Sequence, residues 1–577
     1  MKLRLLSTPL ALLTALAAFG CSSSSTKAPA GGDSGTTPTE AGTDSGKSDG
    51  SVDTGGGGSD AESDAAPLPK PTGTLLVGTD SGQLIGVTSD NYVIYEEANA
   101  TGTSGSIFAV PTAGGTPKLV AALTTTSFFA TVQGALVLVW PGLSTNGVGP
   151  VSSWTSTGGI HSITTASYYA QFGVSSDGTH LVYTANVPDS AKTGDVVVAN
   201  IDGTDPKTLL TGISLQGACT PLMGFEGTGS GTYFLASYCP TATGDAGTDA
   251  GSADGGTAGA TLSNWTGASW TETDMATNLP LLTGVCGAAP TACALWSTDK
   301  SATKAVVTTA ANELEALPLP SGAAISVDDV GAQTQFGVLR SDGSGVIYAT
   351  AGGLLKQSPL PAAAPATLVT TGTTPVTILQ VSPDSNYVMY STAVDTSNGF
   401  ENLYLASTKT AGTPVTLSST MTALTTGVDF TTDSSHALYY TDGASLTNPN
   451  GGASPGTVGT LTSIPVAGGS PTALGPMVWD GFVGAGTTVI FQGNFIPSAT
   501  SGDGIADILV ADVSSSKAAT TIVQASDVIA SLGDDGFVLT ADKSKLIYSF
   551  SIDQSASADA GVDAGPDLNG IYIIAVP

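Results

Sequence analysis

Few side chains in this 577-residue chain are of the kinds that move protons, attack bonds or hold metals. Its three histidines are His161, His180 and His436. The last two stand three residues after Asp177 and Asp433, in matching surroundings far apart in the chain. A paired imidazole site would have to be assembled from separate segments, whereas both fit exposed turns as they stand. The adjacent carboxylates Asp328 and Asp329, and Asp534 and Asp535, offer acid–base or cation-binding chemistry, and equally suit solvated turns. The cysteines after residue 200, Cys219, Cys239, Cys286 and Cys293, include no C-x-x-C pair of the kind that seeds a zinc site. In an exported chain, four cysteines form two disulfides by one of three schemes. Neighbour pairing, Cys219 with Cys239 and Cys286 with Cys293, closes the shortest loops, and the first bridge would contribute about 3 kcal/mol. Six tryptophans, Trp140, Trp154, Trp265, Trp270, Trp296 and Trp479, could stack on sugars or anchor a peptide, or could fill a core.

Catalytic motifs do not emerge. Nothing reads as a G-x-S-x-G nucleophile elbow between a strand and a helix, as H-E-x-x-H, or as the phosphate-cradling G-x-x-x-x-G-K. Gly32-Asp33-Ser34-Gly35 resembles the string around the nucleophile of chymotrypsin-like proteases. It lies in a Ser/Gly/Thr/Asp stretch, where nothing can preorganise a base or an oxyanion hole. No catalytic residue, metal ligand or cofactor is assigned, and the chain leans toward a non-enzyme. Asp plus Glu number 47 against 16 Lys plus Arg, a net charge of −31. No basic stripe exists to displace counterions from phosphate, so nucleic acid is excluded as a partner. Anionic membranes are disfavoured on the same ground, which leaves an N-terminal lipid as the only route to a bilayer.

That route is written at the start of the chain. Lys2 and Arg4 precede an apolar run from Leu5 to Phe19, too short to span the roughly 30 Å hydrocarbon layer, which is the pattern of a signal peptide over residues 1–20. Ala17-Ala18-Phe19-Gly20-Cys21 resembles a bacterial lipobox, in which the Cys becomes the lipidated first residue; Ala18 and Phe19 depart from its usual pattern. The resemblance implies lipidation at Cys21, and Ser22, which is not Asp, implies sorting to the outer membrane. From Ser22 to Pro71 the chain is Ser, Gly, Thr, Asp and Pro without an aromatic residue, too poor in apolar surface to fold. Residues 21–71 therefore read as a tether, whose 50 residues after the Cys would span about 35 to 42 Å.

From residue 72 the chain consists of short β-branched and aromatic runs broken by Gly, Pro, Asp and Ser, with no helical period. It is all-β. A repeat runs through it: an Asp, then six residues on a Tyr that ends an apolar strand. The copies are Asp177 with Tyr183, Asp342 with Tyr348, Asp384 with Tyr390, Asp433 with Tyr439 and Asp542 with Tyr548, while Asp90 with Tyr95 is one residue shorter. The Asp caps a tight turn that launches the strand. A second hairpin follows in several copies, so each unit is four strands over about 40 to 55 residues, the size of a propeller blade. Ser382-Pro383-Asp384 with Tyr387-Val388-Met389-Tyr390, and Ser176-Asp177-Gly178 with Leu181-Val182-Tyr183, resemble the WD40-like repeat of TolB-type propellers. Degenerate copies near Gln133, Thr228, Asp299 and Ala485 bring the count to between seven and ten, and a single large ring is favoured over two packed rings. Low-complexity Asp/Ala/Gly tracts at 244–260 and 555–569 read as loop insertions without EF-hand spacing. The last run, Ile571 to Val576, aligns with the third strand of other units, so Thr74 to Val77 is expected to supply the missing outer strand and close the ring.

The resulting expectation is an outer-membrane lipoprotein, facing either side, whose propeller is a platform for an envelope protein or a surface glycan, as TolB-like proteins are for protein partners. The alternative is an extracytoplasmic hydrolase or lyase acting on polysaccharide or peptide through carboxylates at the propeller funnel. Two carboxylates with a His or Arg in one funnel would favour the enzyme.

Overall fold

The computed structural model describes residues 71–576 except 80–81, 100–103, 189–192, 216–221, 227–232, 239–259, 268, 281, 284–291, 294–295, 330–336, 362–363, 372–373, 396–399, 423–427, 446–456, 479–481, 498–503, 516, 529–536 and 551–568. Signal peptide, Cys21, the tether up to residue 70, the low-complexity tracts except their last residues 260 and 569, Cys219, Cys239, Cys286, Trp479 and Asp534–Asp535 thus lie outside the described residues, as does the side chain of Cys293.

Ten four-stranded antiparallel sheets follow one another along the chain, and together they form a single ten-bladed β-propeller. Blades 1 to 9 cover residues 82–122, 129–168, 172–214, 222–279, 296–329, 338–370, 376–422, 429–478 and 482–528. Each runs in simple meander order, first strand to fourth. First strands of neighbouring blades lie against each other, for example Gly82–Val87 against Phe129–Gln133 and Val376–Val381 against Asp429–Phe430, so these strands surround the centre. A two-stranded ribbon, Leu282–Thr283 with Ala292–Cys293, sits between blades 4 and 5.

The core is a series of seams. Ten apolar clusters are each shared by two adjacent blades, from Ile94, Ile107 and Val120 of blade 1 with Val137, Val139 and Trp154 of blade 2, round to Ile490 and Val523 of blade 9 with Leu546 and Phe550 of blade 10. Because a blade is packed on both faces, its middle strands read as unbroken apolar runs; Leu136–Trp140 is buried at all five positions. The motif tyrosines are part of this seam packing. Tyr95, Tyr183, Tyr348, Tyr390, Tyr439 and Tyr548 are all 3% exposed or less. They do not end their strands, contrary to expectation: Tyr183 is the fourth residue of His180–Ala185 and Tyr390 the fourth of Tyr387–Asp395. The strand has to continue past the Tyr to pair with the third strand, as Thr184 does with Val196.

Closure is made by the start of the ring. Blade 10 takes Phe537–Leu539, Lys545–Phe550 and Gly570–Ala575 from the chain's end and Thr74–Gly78 as its outermost strand, with Thr74 opposite Ile573 and Gly78 opposite Gly570. Leu84, Val93 and Tyr95 then pack on Ile547, Ile571 and Ile573, sealing blade 1 to blade 10. Just before the closing strand, the Tyr548 hydroxyl accepts from Thr72 N at 2.9 Å and donates to Thr72 O. Gly73 follows at φ +106°, and a Cβ there would lie 2.5 Å from Ile573 O, so only glycine fits.

Candidate functional site

In a four-stranded meander the first and third hairpin turns emerge on the same side. The nine first turns among the described residues therefore encircle one face of the ring, and the repeat's aspartates sit in six of them. Four of these turns, in blades 3, 7, 8 and 10, share one chemistry. In blade 7, Ser382 Oγ donates to Asp384 Oδ1 (2.6 Å) and accepts from Asn386 N (3.1 Å) and Tyr387 N (3.0 Å), while Asp384 Oδ1 accepts from Asn386 N (3.0 Å). Ser175 with Asp177, Thr431 with Asp433 and Thr540 with Asp542 repeat this within 0.1 Å at the hydroxyl–carboxylate bond. The residue after the Asp takes a left-handed conformation: Gly178, Gly343, Ser385, Ser434 and Lys543 at φ between +58° and +69°, and Asn91 at +66°. Thr88 serves the shorter blade 1 turn by accepting from Tyr92 N. In blade 6 Arg340 replaces the hydroxyl and lies 3.9 Å from Asp342. Asp299 of blade 5 does a comparable job from a different position, accepting from Thr303 N and Lys304 N.

The hydroxyl two residues before the Asp, present in five of the six turns, and the left-handed residue after it, present in all six, help to hold the turn, and sequence reading noted neither. Both were visible, since Thr88, Ser175, Ser382, Thr431 and Thr540 recur in step with the aspartates.

The donated hydrogen bonds outweigh desolvation and hold Asp177 down at about 2. Asp384 and Asp433 are lowered by the same balance, and the exposed Asp542 lies at about 2 through its bonds from Thr540 and Ser544. The carboxylates are thus ionised and already occupied by their own turns.

The turns also link blade to blade. Ser341 N donates to Ser385 Oγ (2.7 Å), Asp384 N to Ser434 Oγ (3.0 Å), Gly486 N to Thr432 Oγ1 (2.7 Å) and Lys543 Nζ to Gly484 O (2.9 Å), a chain of contacts from blade 6 to blade 10. Arg340 reaches Thr408 and Asn386 of blade 7, and Ser156 of blade 2 donates to Asp90 of blade 1.

The other sequence candidates are not brought together. His180, His436 and His161 lie in blades 3, 8 and 2. His180 Nδ1 is 2.8 Å from Thr179 Oγ1 with its ring edge-on to Trp270, and His436 Nδ1 is 2.8 Å from Ser435 Oγ, burial lowering its pKa. Trp140, Trp154, Trp265 and Trp296 are buried in seams, whereas Trp270 is half-exposed on the turn face beside His180 and Phe225. Asp328 and Asp329 do not act as a pair. Asp328 accepts from Tyr348 Oη (2.7 Å) and Lys356 Nζ (2.8 Å) across the seam between blades 5 and 6, and despite desolvation its pKa is lowered. Among the described residues no three His, Cys, Asp or Glu side chains are grouped to hold a metal.

On the ten first strands around the centre the only carboxylates are Glu226 and Asp429, in non-adjacent blades 4 and 8, and those strands contain no His, Lys or Arg. Asp429 Oδ1 accepts from Gln380 Nε2 of the neighbouring blade at 2.9 Å.

No protein-family model and no curated protein matches the sequence. Among solved structures, the chain is similar to a eukaryotic initiation factor (11% identity, 71% of this chain and 90% of that one, TM-score 0.41), to TolB from Acinetobacter baumannii (11%, 56% and 63%, 0.24) and to the tricorn protease (10%, 86%, 0.28). The chain spans 52% of the tricorn protease's length. Likeness at this level concerns the propeller fold, which the ring's own strand order already defines.

Proposed function

We propose that this protein is a non-catalytic lipoprotein of the cell envelope, anchored in the outer membrane through Cys21, whose ring is a binding platform for a second envelope protein or a surface glycan. The observation that carries the reading is the state of the turn aspartates. The turn carboxylates accept hydrogen bonds from their own turns at Asp177, Asp342, Asp384, Asp433 and Asp542, and from the next blade at Asp90, which suits a rigid surface and not an acid–base pair that must exchange protons. The two carboxylates on the central strands stand in separate blades without a His or Arg on those strands. A lipid anchor fits the leader and Cys21, and the four later cysteines fit an oxidising compartment. The test is retention of an envelope protein or a glycan by the full mature chain immobilised through its tether, run beside turnover assays on a polysaccharide and peptide panel. Retention without turnover is the expected result. Turnover that survives purification, with nothing retained, would replace this reading by the hydrolase or lyase alternative.

A further inference from the structure

The ring's two faces differ in charge, and the tether joins only one of them. Residue 71 leads into Thr72, which is bonded to Tyr548 at the turn-face end of blade 10, because Thr74 pairs with Ile573 two residues from Ala575, the partner of Lys545. Lys118, Lys207, Lys300, Lys304, Arg340, Lys409, Lys517, Lys543 and Lys545 all lie in or beside first or third turns. That is nine of the ten Lys and Arg among the described residues; the tenth, Lys356, is paired with Asp328. They offset the turn aspartates nearly one for one. The opposite ends of the strands carry Glu97, Asp195, Glu313, Asp329, Asp442 and Asp507 with no free cation among the described residues.

A third observation is independent of charge. Of the five large apolar side chains exposed among the described residues, Leu75, Leu119 and Ile160 (47%, 49% and 50%) are each the second residue of the outermost strand of its blade, while Met477 and Ile496 stand toward the opposite ends of strands in blades 8 and 9. Those blades are 10, 1 and 2, consecutive round the ring and centred on the place where the tether joins. The second residue of an outermost strand lies at the turn-face edge, so the three aliphatic side chains line the rim on the tethered side.

We propose that the ring rests with its turn face toward the lipid surface that holds the tether, tilted so that the rim of blades 10, 1 and 2 comes nearest, and presents its acidic face outward. The proposal rests on anchoring at Cys21. Affinity comes from the anchor; the charge asymmetry chooses the side, since an anionic headgroup layer repels the acidic face and leaves the nearly neutral one. Three aliphatic side chains add a weak preference for the interface. The surface left for a partner is then acidic, which selects a basic one.

The orientation can be read with the full mature chain carrying Cys21→Ser and a histidine tag beside residue 22, held on vesicles of phosphatidylethanolamine and phosphatidylglycerol doped with a nickel-chelating lipid. A genetically encoded fluorophore is placed at Thr116, in the third turn of blade 1, or at Glu313, on the opposite face. Headgroup-quencher lipids should quench the first at least about threefold more than the second, and the difference should shrink in a Leu75→Ser, Leu119→Ser, Ile160→Ser variant and at high salt. Equal quenching at both positions, or a triple variant indistinguishable from the parent, would overturn the proposal. The chelating lipid supplies the anchor, so this failure leaves Cys21 lipidation untouched. The mass of the mature N-terminus tests that lipidation separately.

Discussion

Replacing Gly73 by Ala should open the ring at its closure without unfolding the other nine blades. The backbone there has φ +106°, which L residues rarely adopt and which costs about 1 to 3 kcal/mol, and the added Cβ would meet Ile573 O at 2.5 Å. The only escape is to move the closing strand. That strand is lightly held: Thr74, Leu75 and Gly78 are exposed, Leu76 and Val77 are half-buried, and its register is broken between Leu75 and Val77. A penalty of about 2 to 3 kcal/mol on so small an element raises its open population about 30- to 140-fold. Hydrogen exchange read by mass spectrometry should show faster exchange in peptides covering 74–78 and 570–575, while the blade 7 peptide 387–395 keeps its rate. Unchanged exchange at 570–575 would refute the view that Gly73 is required for closure. Uniformly faster exchange would mean that closure is not a separable element.

Ser382→Ala removes a nearly buried hydroxyl that serves two backbone N–H groups and a carboxylate, and should cost about 1 to 3 kcal/mol in denaturant titration. Tyr390→Ala empties a seam site 1% exposed and should cost about 3 to 5 kcal/mol in the same assay. Asp177 has a folded pKa of about 2 against 3.8, so its contribution is complete above 3.8 and disappears as pH falls toward 2; Asp177→Asn should flatten stability between those values and leave it unchanged in shape above pH 5. Asp328 is likewise depressed, with Lys356 among the groups that lower it, so Lys356→Met should lower stability at neutral pH and flatten its loss on acidification, the variant and parent converging once Asp328 is protonated.

How far the site was legible follows from the range of the interactions. The Asp-to-Tyr spacing is a local signal, because a turn and the strand it launches involve neighbouring residues; Asp177, Asp384, Asp433 and Asp542 each accept hydrogen bonds within a first turn. The hydroxyl at Ser382 is equally local and was there to be read. The bonds from Asp384 N to Ser434 and from Ser341 N to Ser385 join residues 50 and 44 positions apart, and no spacing in one sequence announces them. The same applies to Asp328, whose adjacency to Asp329 suggested a carboxylate pair while its actual partners are Tyr348 and Lys356 across a seam.

By itself the sequence determined that the chain is all-β, that its unit is a four-stranded meander, and that Thr74 to Val77 was needed to complete the last blade, because hairpins and turns are encoded by residues close together. Blade number, one ring or two, and which side chains share a face were decided only by tertiary structure. Ten seams must each be filled by two blades whose contacts are far apart in the chain, and the angle between blades that lets the tenth meet the first is set by side-chain volumes in those seams. Closure then places Thr72, the aspartate turns and nine of the ten cations among the described residues on one face, an asymmetry that no linear reading of a chain with net charge −31 contains.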